Sequence, residues 1–246
     1  MRQETRIVGE LTCRIVKPDH DRPPSGIVIL CHGFGAPGDD LVGLADPLIQ
    51  LAPSLGDRIQ FVFPEAPLTI PEVPGGRAWW PIDMMEMQMA IMEGRFRDLR
   101  QSVPDLMPAA REKLLSVIDQ LQEESGLPLS RFVLGGFSQG SMLTTDVTLR
   151  LPESPATLLV YSGTLVAEPQ WRELAPNRAG LRVLQSHGTF DPILPFEAAN
   201  WLRDLFVEAG MNVQFIPFPG IHTIPLEALR ASAPLIDEVL PRTPGV

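Results

Sequence analysis

Lysine is almost absent from this 246-residue chain: of its 20 basic residues only Lys17 and Lys113 are lysines. Acidic residues number 30, which leaves a formal charge of −10. A field of that sign repels phosphate backbones and anionic lipid surfaces, so nucleic acid is not an expected partner. Cysteine occurs only twice, at Cys13 and Cys31. Two cysteines make no disulfide framework, and no CxxC or Cys/His spacing suggests a zinc site, so no metal is expected. No window approaches 18 apolar residues, which excludes a membrane-spanning helix. The N-terminal run MRQETRIVGELTCRIVKP alternates polar and apolar residues and lacks the apolar stretch of a signal peptide. The expected compartment is the cytoplasm.

What is present is ordinary for a folded domain: 44% hydrophobic and 20% charged residues. The length suits a single α/β domain spanning 1–246, long enough to bury its core without staples. Short apolar runs alternate with helix-patterned stretches, as strands joined by crossover helices do. Arg6 to Val16 reads as an alternating edge strand. Strands are expected at Gly26 to Leu30, Ile59 to Phe63, Arg131 to Leu134, Thr157 to Tyr161, Leu181 to Gln185 and Asn212 to Pro217. Helices are expected at Asp39 to Leu51, Pro104 to Glu124, Ser138 to Arg150, Phe196 to Ala209 and Pro225 to Val239. The sum is a mostly parallel sheet of six to eight strands flanked by helices. One segment breaks the alternation. Residues 68–103 are rich in Pro and Gly and then in Met, with five of the nine methionines between Met84 and Met92. A long insertion after a strand end reads as a cap over the sheet.

The strongest local signal is Gly136-Phe137-Ser138-Gln139-Gly140, a G-x-S-x-G pentapeptide between an apolar strand and a helix. A tight strand-to-helix turn lifts the serine hydroxyl clear of the sheet, and the N–H of Gln139 is aimed where a carbonyl oxygen would react. A serine hydroxyl needs a base beside it near neutral pH. In this arrangement the acid and then the histidine follow on loops after later strands. Asp191 follows the strand ending near Gln185, and His222 follows the strand ending near Pro217. Asp191 would hold the imidazole in the useful tautomer. His187 competes for the base role but reads as a hydrogen-bonded structural residue. Glu197, Asp204 and Glu208 fall on the next helix, where solvated charge is the ordinary state. His20, between Asp19 and Asp21, reads as an exposed loop residue rather than a metal corner. Cys31-His32-Gly33-Phe34-Gly35 ends the second strand. Its glycines let the N–H of Phe34 join that of Gln139 as an oxyanion donor, with His32 fixing the loop.

Together these residues resemble the bacterial carboxylesterase/phospholipase family that includes the acyl-protein thioesterases. The likeness rests on CHGFGAPGDDL (31–41), FVFPEAP (61–67), RAWW (77–80), LGGFSQGS (134–141), HGTFDPILP (187–195) and PGIHTIP (219–225). It implies the α/β-hydrolase fold, with Ser138, Asp191 and His222 as the triad and Phe34 and Gln139 as backbone oxyanion donors. It also implies hydrolysis of carboxylic esters with no cofactor. Ser141 stands where the family usually has Gly, and so does Ile221.

The expected partner is a small-molecule ester or thioester, and the oligomeric state is left open. Thioesterase or lysophospholipase chemistry is the alternative, since each passes through the same acyl-enzyme. A non-catalytic ligand-binding scaffold is the reading from another class. Trp79, Trp80, Met84 and Met87 are the candidates for an adaptable apolar acyl site, because Met packs against varied shapes. The competing reading makes the Met stripe plain core.

Overall fold

The computed structural model describes residues 1–93 and 98–240. Its chain starts with a hairpin of strands β1 (Arg2–Val8) and β2 (Leu11–Lys17). The alternating run read as one strand is therefore two. The turn falls at Gly9, with φ +54°, where any Cβ would lie 2.3 Å from Ser116 Oγ. The apolar letters Ile7, Leu11, Cys13 and Ile15 keep one phase across the turn, whereas burial changes parity, with Val8 and Leu11 inward and Ile7 70% exposed, so the letters alone hid the turn.

Strands β3 (Gly26–Cys31) and β4 (Ile59–Pro64) follow, then a short pair, β5 (Leu68–Thr69) and β6 (Arg77–Ala78). The later strands are β7 (Phe132–Phe137), β8 (Thr157–Tyr161), β9 (Arg182–Gly188) and β10 (Asn212–Phe218). Eight of them form one sheet in the order β1-β2-β4-β3-β7-β8-β9-β10, parallel from β4 to β10. Only the β1–β2 hairpin and its edge with β4 are antiparallel. All six residues of β3 are buried, as a parallel strand covered on both faces requires.

The helices are α1 (Ala45–Leu51), α2 (Met84–Met92), α3 (Met107–Ser125), α4 (Gln139–Arg150), α5 (Glu168–Leu174), α6 (Phe196–Glu208) and α7 (Leu226–Val239). Successive strand residues face opposite ways, and the two cores follow from that. Ile27, Ile29, Phe132 and Leu134 pack toward α3, α4 and α6. Val28, Leu30, Val133 and Phe61 pack toward α1 and α7. The helix expected at Asp39 opens as a 3₁₀ turn at Val42–Leu44 before α1 begins. α5 was not legible in the sequence, being only seven residues long with Pro169 in its first turn.

The sheet also sets where chemistry can occur. β3, β7, β8, β9 and β10 are mutually parallel, so their carboxyl ends open on one edge. Ligands bind at such an edge in open α/β sheets.

Candidate active site

Ser138 is the single residue between β7 and α4, with φ 52° and ψ −119°. A non-glycine residue held there costs roughly 1–3 kcal/mol, which the surrounding sheet and helix must offset. They do so through specific bonds. The Ser138 N–H donates to the Tyr161 carbonyl at 2.9 Å, and its own carbonyl accepts from the Ser141 N–H at 3.0 Å. Ser141 Oγ donates to that carbonyl too, at 2.7 Å, so this side chain helps to close the turn. The flanking glycines are forced by contact. A Cβ on Gly140 would lie 2.1 Å from the Cys31 carbonyl oxygen, and one on Gly136 would lie 2.6 Å from the same atom.

Asp191 lies just beyond β9 and is buried. Its Oδ1 accepts the N–H groups of Ile193 and Leu194, each at 2.9 Å. Its Oδ2 accepts from His222 Nδ1 at 2.6 Å. Burial alone would raise the Asp191 carboxyl pKa. The bonds from His222 and from the two N–H groups outweigh burial and hold it below the usual carboxylate range. With Nδ1 committed to Asp191, Nε2 is the nitrogen of His222 left for proton transfer. The loops carrying the acid and the histidine are tied together: Thr189 N–H donates to Phe218 O at 2.9 Å and Phe190 N–H to Gly220 O at 3.0 Å.

Ser138 and His222 line one cavity of about 360 Å³, together with Gly33, Phe34 and Gln139. The ring of Phe137, next to the serine, lies 4.7 Å from the His222 ring. Trp80, Ile82, Met87, Met142, Val166 and Leu194 make most of the remaining wall apolar. Ser138 and His222, 84 positions apart in sequence, thus face one space, and the Asp191 carboxylate holds the imidazole from behind. That arrangement can deprotonate a serine and attack a carbonyl.

A family model described as phospholipase/carboxylesterase matches residues 12–239. The chain belongs to this family. It is a hydrolase of the α/β-hydrolase fold. An acyl-protein thioesterase 1 from Eremothecium gossypii is 31% identical over 191 residues, covering 75% of this chain and 74% of the relative. One from Neurospora crassa is 28% identical over 227 residues, covering 87% of each chain. Among solved structures, that of esterase PE8 is similar with a TM-score of 0.75 and 26% identity, covering 92% of this chain and 97% of that one.

In this family member the expected wall residues divide. Trp80 and Met87 line the cavity. Trp79 does not: it is buried behind the wall, its indole N–H donating to the His32 carbonyl at 2.9 Å. Its backbone N–H donates to Gln139 Oε1 at 2.9 Å, while Gln139 Nε2 donates to the Trp80 carbonyl at 2.8 Å. Both tryptophans lie in the bend that follows β6, and packing alone sends Trp79 toward His32 and Trp80 to the cavity. Met84 is half-buried and off the cavity, and Met85, Met89 and Met92 are exposed. Neither a stripe-wide pocket nor plain core therefore describes the methionines. The part of the insertion at 94–97 lies outside the described residues.

The competing candidates take other places. His187 is fully buried, and its Nε2–H donates to the Leu194 carbonyl at 2.7 Å, beside Asp191. Burial pushes its pKa below the ordinary histidine value. Glu208 pairs with Arg172 and Asp204 with Arg203. His20 binds the Asp57 carbonyl and the Arg22 N–H. Among the described residues no cluster of His, Cys, Asp and Glu suits a metal ion.

Sequence reasoning passed over Ser162. It follows β8 with φ 50°, is buried, and its Oγ donates to the Thr223 carbonyl at 3.1 Å, one residue beyond His222. Its place at the end of β8, beside the strand that leads to Ser138, was the available signal.

Proposed function

We propose that this enzyme hydrolyses carboxylic esters bearing an apolar acyl chain, with Ser138 as nucleophile, His222 as general base and Asp191 as its orienting acid. The observation that carries the reading is the 2.6 Å Asp191–His222 bond behind a cavity that also holds Ser138. His222 Nε2 takes the serine proton as Ser138 Oγ attacks the carbonyl carbon. The oxyanion that forms meets the N–H groups of Phe34 and Gln139. His222 then returns the proton to the leaving alcohol, and water repeats the sequence on the acyl-enzyme. Residues 68–103 act as the cap of a single catalytic unit, and the apolar wall sets the acyl preference. The site needs no cofactor for this chemistry.

Thioesters are the second reading, favoured by the likeness to acyl-protein thioesterases of two fungi. An alcohol and a thiol leave from the same tetrahedral intermediate, so the reading changes the leaving group and not the machinery. The two unpaired, buried cysteines fit a cytoplasmic setting.

Ser138→Ala should abolish hydrolysis of p-nitrophenyl esters and of acyl thioesters with the melting temperature little changed. If that variant keeps most of its turnover, Ser138 is not the nucleophile. A panel of matched esters and thioesters then ranks the two leaving groups.

A further inference from the structure

His32 ends the loop side of β3 and is 2% exposed, yet no step above uses it. Its two ring nitrogens have different partners. Nε2 accepts the Ala66 N–H at 3.1 Å, so that nitrogen carries no proton. Nδ1 faces the Gly33 carbonyl oxygen at 2.8 Å, and an oxygen can only accept, so Nδ1 is the protonated one. The surroundings therefore specify one neutral tautomer. Burial favours it by pushing the His32 pKa below the ordinary value. The Gly33 bond, Asp40 and Glu65 pull the other way, and Arg77 adds to the burial.

The Gly33 carbonyl shares a planar peptide unit with the Phe34 N–H, and in a trans peptide the two point in opposite directions. Fixing the carbonyl therefore fixes the N–H. We propose that His32 is a positioning residue of the oxyanion hole, holding the Gly33–Phe34 peptide so that its N–H points into the cavity. This rests on the reading of Phe34 as a donor. A hydrogen bond accepted by that carbonyl also polarises the same peptide, strengthening the N–H as a donor.

Trp79 joins this brace to the other donor. Its indole N–H holds the His32 carbonyl, and its backbone N–H holds the side chain of Gln139. One buried residue thus spaces the two halves of the hole. Gly33 itself is held close under the nucleophile: a Cβ there would lie 3.0 Å from the Phe137 ring and 3.3 Å from Ser138 Cβ.

The two nitrogens can be tested separately, because an asparagine amide reaches about as far as Nδ1 and a glutamine amide about as far as Nε2. His32→Gln keeps an acceptor for Ala66 and loses the donor to Gly33. Its kcat on a p-nitrophenyl ester should fall about 10- to 100-fold with KM unchanged. Its inhibition constant for an alkyl trifluoromethyl ketone, which binds serine as an oxyanion, should rise by the same factor. His32→Asn, which restores a donor near Gly33, should recover most of both. Equal losses in the two variants, or turnover retained in His32→Gln, would overturn the proposal. Should either variant fail to fold, Trp79→Phe removes one N–H from the same brace. It should reproduce the paired change in kcat and inhibition constant at about threefold, and an unchanged pair would count against the idea equally. Ser138→Ala stays inactive in every one of these outcomes, so failure here is distinct from failure of the triad.

Discussion

The two walls of the cavity are built on opposite principles. The wall at the strand ends, which carries Ser138, Asp191 and His222, is fixed by backbone hydrogen bonds and by glycines that admit no side chain. The cap wall, from Trp80 to Met87, presents flexible side chains, and Met85, Met89 and Met92 of the same helix are exposed. Chemistry needs groups held to within about half an ångström, whereas acyl chains of differing length need a surface that yields. Under the proposed function, catalytic precision belongs to the sheet and substrate tolerance to the insertion.

The comparison breaks if the strand-end wall proves tolerant. Asp191→Asn should lower kcat about 10³- to 10⁴-fold with little change in KM, because the amide no longer enforces the useful imidazole tautomer. Steady-state kinetics on a short ester would read this directly, and a loss under tenfold would take Asp191 out of its role. Gly140→Ala comes next. Its Cβ meets backbone from β3 that cannot move aside, so about 3 kcal/mol of stability and most of the activity should go together. Thermal melting alongside turnover tests both halves.

The cap should respond more gently. Met87→Ala enlarges the cavity and should shift the preferred acyl length, changing relative kcat/KM across an ester series by about tenfold. Replacing exposed Met85, Met89 or Met92 by Gln should leave that series unchanged. A shift as large as that of Met87→Ala would mean those side chains fold over the substrate.

The mildest expected effect is on pH, and it again separates the walls. His32 and His187 are buried with lowered pKa values, while 68–103 contains no histidine. The unfolded chain takes up protons below about pH 6.5, which the folded chain resists. Their contribution to stability is complete above that value and is lost as pH falls through their lower folded values. The melting temperature should decline from pH 7 toward pH 5, and the decline should shrink in His187→Gln. A flat profile would mean neither histidine is held neutral.

Much of this architecture was legible because it follows from local rules. The G-x-S-x-G turn needed only a strand before it and a helix after it. The positions of Asp191 and His222 just beyond β9 and β10 followed from counting loops after strands, though their 2.6 Å bond did not. The β1–β2 turn escaped because an exposed Ile7 keeps the apolar letters alternating through Gly9, and α5 escaped because seven residues make too short a period. Trp79 and Trp80 are identical as letters, and only packing assigns one to the brace and the other to the cavity.

By itself the sequence determined the strand-turn-helix at Ser138 and the glycines that permit it, since each depends on a residue and its near neighbours. The tertiary structure alone decided the tautomer of His32, the side chosen by each tryptophan and the few cap residues that reach the cavity. Those are set by atoms of His32, Ala66, Trp79 and Gln139 meeting at distances of about 3 Å, and no spacing along the chain encodes such a meeting.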